Sequence, residues 1–181
     1  VTEGSSSQIQ LEALRGVDYL WSCIKDQQAL SNFLPGTTSA LTKCLTPSTK
    51  APRSRRVLVK ALEVLQMVLT STLSDLRTRN IKDERVSGDT DERARILTKS
   101  WLNTTGSQIK LALANVTKLR THGHQDVRKA LHKMCIVILD ECHSSLVDST
   151  ALLVETAMIV ASSNLEEEDT PLQMSLKDLA N

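Results

Sequence analysis

Gln125-Asp126-Val127-Arg128-Lys129-Ala130-Leu131-His132-Lys133-Met134-Cys135-Ile136-Val137-Ile138-Leu139-Asp140-Glu141-Cys142-His143 is the stretch whose reading decides the fold. Its apolar residues Val127, Ala130/Leu131, Met134/Cys135, Ile138/Leu139 and Cys142 recur at steps of three and four. That spacing gathers them on one stripe of a helix with 3.6 residues per turn, whereas a half-buried strand would alternate with period two. The helix is expected to start at about Gln125, with the Asp126 carboxylate favoured by the positive end of the helix dipole. Val127 is then expected in the core and Arg128 within reach of a neighbouring turn.

The same spacing extends in both directions. Ile9, Leu14, Val17, Leu20, Trp21 and Ile24 mark a helix from Gln8, with Ser5 to Ser7 offering an N-cap. Leu30 to Leu45 carries another, in which Pro35-Gly36 predicts a kink or a break. After the Pro- and Ser/Thr-rich connector 46–52, Val57, Ala61, Val64, Leu65, Val68 and Leu69 give a strongly apolar helix from about Arg53 to Ser74. Leu76 to Glu92 mixes Arg, Lys, Asp and Glu without a stripe, which predicts a solvated, mobile loop. Glu92 to Arg120 reads as one long helix, or two broken near Thr105-Gly106. Leu152/Leu153, Thr156 and Ile159/Val160 mark a further helix, and a last one is expected from Pro171 through Leu172, Leu176 and Leu179.

The expectation is therefore all-α, with about three helices in 1–75, a charged mobile loop over 76–92 and about four helices in 93–181. Short links make consecutive helices antiparallel pairs, compatible with a closed bundle or with a solenoid. Asp126-Val127-Arg128 followed by Ala130 is the opening of a HEAT-repeat B helix, and Arg56 to Leu62 opens a helix in a similar way. With a roughly forty-residue rhythm, these favour a HEAT-repeat-type α-solenoid, all one continuous segment.

Composition narrows the function classes. Hydrophobic residues are 40% and charged residues 24% of 181, which reads as soluble and globular and excludes a disordered chain. Lys plus Arg is 22 against 21 Asp plus Glu, so the clustered positive charge that nucleic acids and anionic membranes require is missing. Aromatics at 2% leave no base-stacking platform. No apolar run near bilayer length and no signal-peptide core near Val1 stand out, so neither membrane nor nucleic acid is expected as a partner. The absence of an initial Met leads to the expectation of an internal piece of a longer polypeptide.

Chemistry-bearing residues are few. His122, His124, His132, Cys135, Cys142 and His143 invite a zinc reading, but Cys135 and Cys142 are two helical turns apart, about 10 Å, too far to share one ion unaided. Both thiols fall on the apolar stripe, and all four cysteines are expected to be core thiols. No cofactor, metal or catalytic residue is expected, which sets aside a metal- or thiol-dependent enzyme. Lys50, Arg53, Arg55 and Arg56 read as a solvated connector and helix start. Glu166 to Asp169 read as charge suited to the N-terminus of the last helix. If exposed, Trp21 and Trp101 are the interface-anchor candidates; their places near the stripes also fit burial between helices.

The order of several blocks carries a family resemblance. Phe33 to Lys43 precedes Arg56 to Leu65; Trp101-Leu102, Gln108 to Lys110, His124 to Leu131 and Cys142 to Leu146 follow. This order resembles the Tel-two-interacting protein one family, particularly its fungal members, and covers most of the chain. The resemblance implies an internal segment of a long HEAT-repeat solenoid that serves as a non-enzymatic scaffold of the TTT (Tel–Tti–Tti) complex. It further implies partners in the other TTT subunits, in phosphatidylinositol-3-kinase-related kinases (PIKKs) and in the ninety-kilodalton heat-shock chaperone machinery, in cytoplasm and nucleus. A generic HEAT-repeat adaptor for transport or phosphatase assembly is the alternative.

Overall fold

Each apolar stripe within the described residues forms a helix, and no strand occurs among them. The computed structural model describes residues 6–46, 53–81 and 97–163. In chain order the helices are α1 (Ser7–Cys23), α2 (Gln27–Leu45), α3 (Arg55–Leu73), the single turn α4 (Asp75–Thr78), α5 (Lys99–Val116), α6 (Gln125–Glu141) and α7 (residues 150–163). Side-chain caps set the starts of three of them. The Ser6 hydroxyl accepts from Ile9 N–H, the Asp26 carboxylate from Gln28 and Ala29, and the Thr98 hydroxyl from Trp101.

Two expected interruptions do not occur. Pro35 lies inside α2, where it removes the N–H that would bond the Ser31 carbonyl. That penalty is about 3 kcal/mol. Leu30, Leu34, Leu41 and Leu45 lie buried along the same helix, and full burial stabilises by about 1.5–3 kcal/mol for each. Packing wins, and the helix runs through. α5 likewise passes Thr105-Gly106 unbroken. A Cβ at Gly106 would lie 3.4 Å from the Ser145 carbonyl oxygen, so the glycine allows α5 to approach the chain leaving α6 closely.

The stretch expected as a loop from Leu76 begins instead with the helical turn α4, and Thr78 is buried. Most of that charged stretch (82–96) and the helix expected from Pro171 lie outside the described residues.

Which helices touch decides between bundle and solenoid. α3 packs against α1, α2 and α6, while α2 also packs against α5. One layer is therefore α1, α3, α6 and the other contains α2 and α5. Within the first layer neighbours run parallel. Arg55, the first residue of α3, pairs with Asp126 near the start of α6 at 3.2 Å. Leu73 and Asp75, at the far end, meet Ser144 and Ser145 just beyond α6. An up-and-down bundle sets consecutive antiparallel helices side by side; parallel stacking of every second long helix is the solenoid arrangement. The register of contacts is 42–50 residues between α1 and α3 but 69–72 between α3 and α6. The forty-residue rhythm holds only for the first step, because α4 and the charged stretch are inserted before the second.

α3 explains the core. Val57, Ala61, Leu62, Val64, Val68, Leu69 and Leu73 are fully buried, and these positions point around most of the helix because it has neighbours on three sides. By length and composition Arg55–Thr78 is apolar enough to cross a membrane, contrary to the expectation from the sequence. Burial against α1, α2 and α6 accounts for that composition: it is a core helix.

A polar clasp fixes the register of α3 on α6. The Asp75 carboxylate accepts from Ser144 N–H at 2.9 Å and Ser145 N–H at 3.1 Å, and the Ser145 hydroxyl donates back to the Leu73 carbonyl. Partial burial pushes the Asp75 carboxyl up, but the backbone donors outweigh it and hold the group below its ordinary value. Asp75→Asn is expected to cost about 1–2 kcal/mol, the value of charge-assisted bonds discounted for a half-exposed carboxylate. A depressed native pKa stabilises fully above the unfolded value of about 4 and loses that contribution as pH falls through the native value. Urea unfolding of both proteins between neutral pH and pH ~3 checks this: the gap between them should close on the acid side, and a gap independent of pH would refute the clasp.

Candidate protein-interaction surface

The repeat-opening residues take the places their chemistry suggests. Val127 is fully buried, and the Arg128 Nη1 donates to the His122 carbonyl at 2.8 Å in the turn before α6. Ala130 is half-buried against the core. Asp126 lies in the first turn of α6 and reaches sideways to Arg55 of the adjacent repeat. These four residues therefore serve helix-to-helix stacking.

The tryptophans separate. Trp21 is 4% exposed, and its Nε1–H donates to the Ser71 hydroxyl at 2.7 Å, so it anchors α1 on α3. It is a core residue and is withdrawn as an anchor for a partner. Trp101 is half-buried against the core and keeps part of its ring at the surface.

Cys44, Cys135 and Cys142 are buried, but Cys23 is exposed, a correction to the expectation for the last; all four are free thiols. Burial pushes Cys135 and Cys142 up to about 12, far from the thiolate a nucleophile or metal ligand needs. His122 is held below its ordinary value by burial, with the nearby charge of His124 adding to it. Among the described residues no three His, Cys, Asp or Glu side chains converge to hold a metal ion.

Two surface grooves remain. The first, about 470 Å³, runs between α1 and α3 to the start of α6 and is lined by Arg15, Arg55, Arg56, Lys60, Glu63 and Asp126 among others. Its charges are largely matched: Arg15 to Glu12, Arg55 to Asp126, and Lys60 to Asp18 and Glu63. The hydrogen bond to Asp18, at 2.6 Å, raises Lys60 above its ordinary value despite partial burial. Such pairs hold α1, α3 and α6 in register.

The second groove, about 440 Å³, lies between α2 and α5. Leu34, Pro35, Ile109, Leu111 and Ala112 line it with Thr38, Ser39, Thr42, Thr46, Gln108 and Asn115, and Lys43 is its one charged lining residue. Leu111 is 69% exposed at its rim. Sequence reasoning missed this groove, because residues of α2 and α5 meet only through stacking. A signal was present nonetheless: none of the 21 acidic residues falls on α2 or α5.

Further apolar surface marks the outer helices. Ile9 and Leu20 on α1, and Val154 and Met158 on α7, are exposed. Each pair shares one helical face, at separations of 11 and 4 residues. Faces of this kind are what a solenoid stacks against its next element.

With this geometry in place, comparison with known proteins is informative. The family model described as the TTI1 N-terminal TPR domain matches residues 1–164. TEL2-interacting protein 1 of Saccharomyces cerevisiae is 26% identical over 202 aligned residues, covering 97% of this chain and 19% of that protein. TELO2-interacting protein 1 homolog of Mus musculus is 24% identical over 157 residues, covering 84% of this chain and 14% of that protein. The chain thus spans less than a fifth of the length of these relatives. No solved structure matches it. The family description names TPR where the Asp126-Val127-Arg128 opening points to HEAT; both stack helix pairs into the α-solenoid seen here.

Proposed function

Because the chain belongs to the TTI1 N-terminal TPR domain family, we propose that it acts without catalysis as a scaffold segment of the TTT complex, a co-chaperone for the maturation and stability of PIKKs. The observation that carries this reading is the family match across residues 1–164. The name of the yeast relative, TEL2-interacting protein 1, supports a place beside Tel2. The stacked fold supports the mode of action, since a solenoid spreads binding over many helices instead of building a compact reactive constellation. The partners in this reading are the other TTT subunits, PIKK-family kinases and the heat-shock chaperone machinery, in cytoplasm and nucleus.

A scaffold acts by holding partners together, so damaging it should lower client abundance and leave every chemical step intact. Val127→Asp in the full-length subunit, which disrupts α6, is expected to reduce the steady-state levels of several PIKKs together with their messenger levels unchanged. Quantitative immunoblotting beside transcript measurement checks it. Kinase levels that hold while the mutated subunit is lost from its complex would overturn the co-chaperone reading and favour a generic adaptor for transport or phosphatase assembly.

A further inference from the structure

The groove between α2 and α5 differs from the charged one in what it leaves unmatched. Thr38 is 4% exposed, and its hydroxyl has no hydrogen-bond partner; the same holds for the buried hydroxyl of Thr42. Thr46, one turn further along, behaves as a helical threonine ordinarily does and donates to the Thr42 carbonyl at 2.7 Å. Two successive turns of α2 therefore carry unpaired hydroxyls along the groove, at a standing cost in stability. Native structures keep such groups mainly where a function uses them.

The electrostatics are one-sided. Lys43 is the charged residue of the lining, and α2 and α5 contain no carboxylate to match it. On the α1–α3–α6 layer, by contrast, Arg15, Arg55 and Lys60 each have an acidic partner within 4 Å. Leu34, Pro35, Ile109 and the exposed Leu111 provide an aliphatic wall beside the lysine.

We propose that this groove docks an acidic segment of a partner polypeptide, with an aliphatic side chain against Leu34, Pro35 and Ile109, main-chain groups pairing with the Thr38 and Thr42 hydroxyls, and a carboxylate meeting Lys43. The inference rests on the scaffold reading and deepens it by naming where and what the scaffold holds. A nucleic acid fits less well, because one lysine neutralises one phosphate and the wall is aliphatic. A second copy fits less well too: a two-fold contact sets the groove against itself, and neither helix has an acid to offer.

The test uses the purified full-length subunit and overlapping synthetic peptides that tile the proteins co-purifying with it, whatever these are. Each acidic peptide is paired with its Asn/Gln analogue, and oligothymidylate is included as a separate probe. Peptides joining Asp or Glu to a nearby aliphatic residue should bind, and their amide analogues should not. Lys43→Glu should weaken binding about tenfold or more. Thr38→Val should weaken it by up to about tenfold, the value of one lost hydrogen bond, while leaving the melting temperature equal or higher. A hydroxyl of purely structural meaning would leave binding untouched. Binding indifferent to acid content, binding unaltered in both variants, or binding of oligothymidylate alone would each overturn the proposal. Because the peptides come from whichever proteins co-purify, the groove can pass this test even if TTT subunits and kinases are absent among them, the outcome that would defeat the scaffold reading.

Discussion

Val127→Asp destabilises the chain by about 3–5 kcal/mol, the expected cost of an unpaired charge placed in a packed interior. Val127 is fully buried on the face of α6 that stacks on α3, and no cation lies inside that apolar contact to meet a carboxylate. The nearest basic group in sequence, Arg128, is already committed to the His122 carbonyl. The aspartate would have to remain charged in a low-dielectric site, take up a proton, or separate α6 from α3; each costs free energy. Urea unfolding monitored by circular dichroism measures the effect, with Lys129→Ala, on the exposed face of the same helix, as a control expected within about 0.5 kcal/mol of wild type. An unchanged midpoint for Val127→Asp would mean that the register of α6 is wrong.

Trp21→Ala is expected to cost a comparable amount, about 3–5 kcal/mol. The indole is the largest side chain joining α1 to α3, and its truncation leaves a cavity and an unmatched Ser71 hydroxyl. Trp21→Phe keeps most of the apolar volume and loses the Nε1–H bond, so about 1–2 kcal/mol is expected. The pair of variants discriminates between the two readings of this tryptophan. An anchor for a partner would lose binding at unchanged stability; a core residue loses stability first, in the graded order Ala before Phe. Equal melting temperatures for all three proteins would return Trp21 to the surface.

Helix content was legible because it is local. Val57 to Leu69, Val127 to Cys142 and Leu152 to Val160 each form a stripe that needs no knowledge of the rest of the chain, and the observed boundaries fall close to the expected ones. The errors arose where local and tertiary terms compete. Pro35-Gly36 and Thr105-Gly106 carry genuine local penalties, yet α2 and α5 continue because burial on α3, on each other and on the chain after α6 exceeds them. Leu76 was read as the start of a loop since its neighbours are charged, but the Asp75 carboxylate caps a turn whose donors lie 69–70 residues away. Trp21 and Cys23 are two residues apart on one helix, and only the position of α3 decides that the first is buried and the second exposed.

By itself the sequence determined that this protein is helical, which residues form each stripe, that its charges are nearly balanced, and to which family its ordered blocks are similar. These follow from side-chain periodicity and composition, which act over a few turns of chain. The tertiary structure alone decided that α3 and α6 lie parallel and that α2 meets α5, which together make a solenoid and open the Thr38–Lys43 groove. An apolar stripe specifies that a face must be covered but not by what: the hydrophobic effect is non-directional, and the choice of neighbour is made by packing and by contacts such as Arg55–Asp126 and Asp75–Ser144.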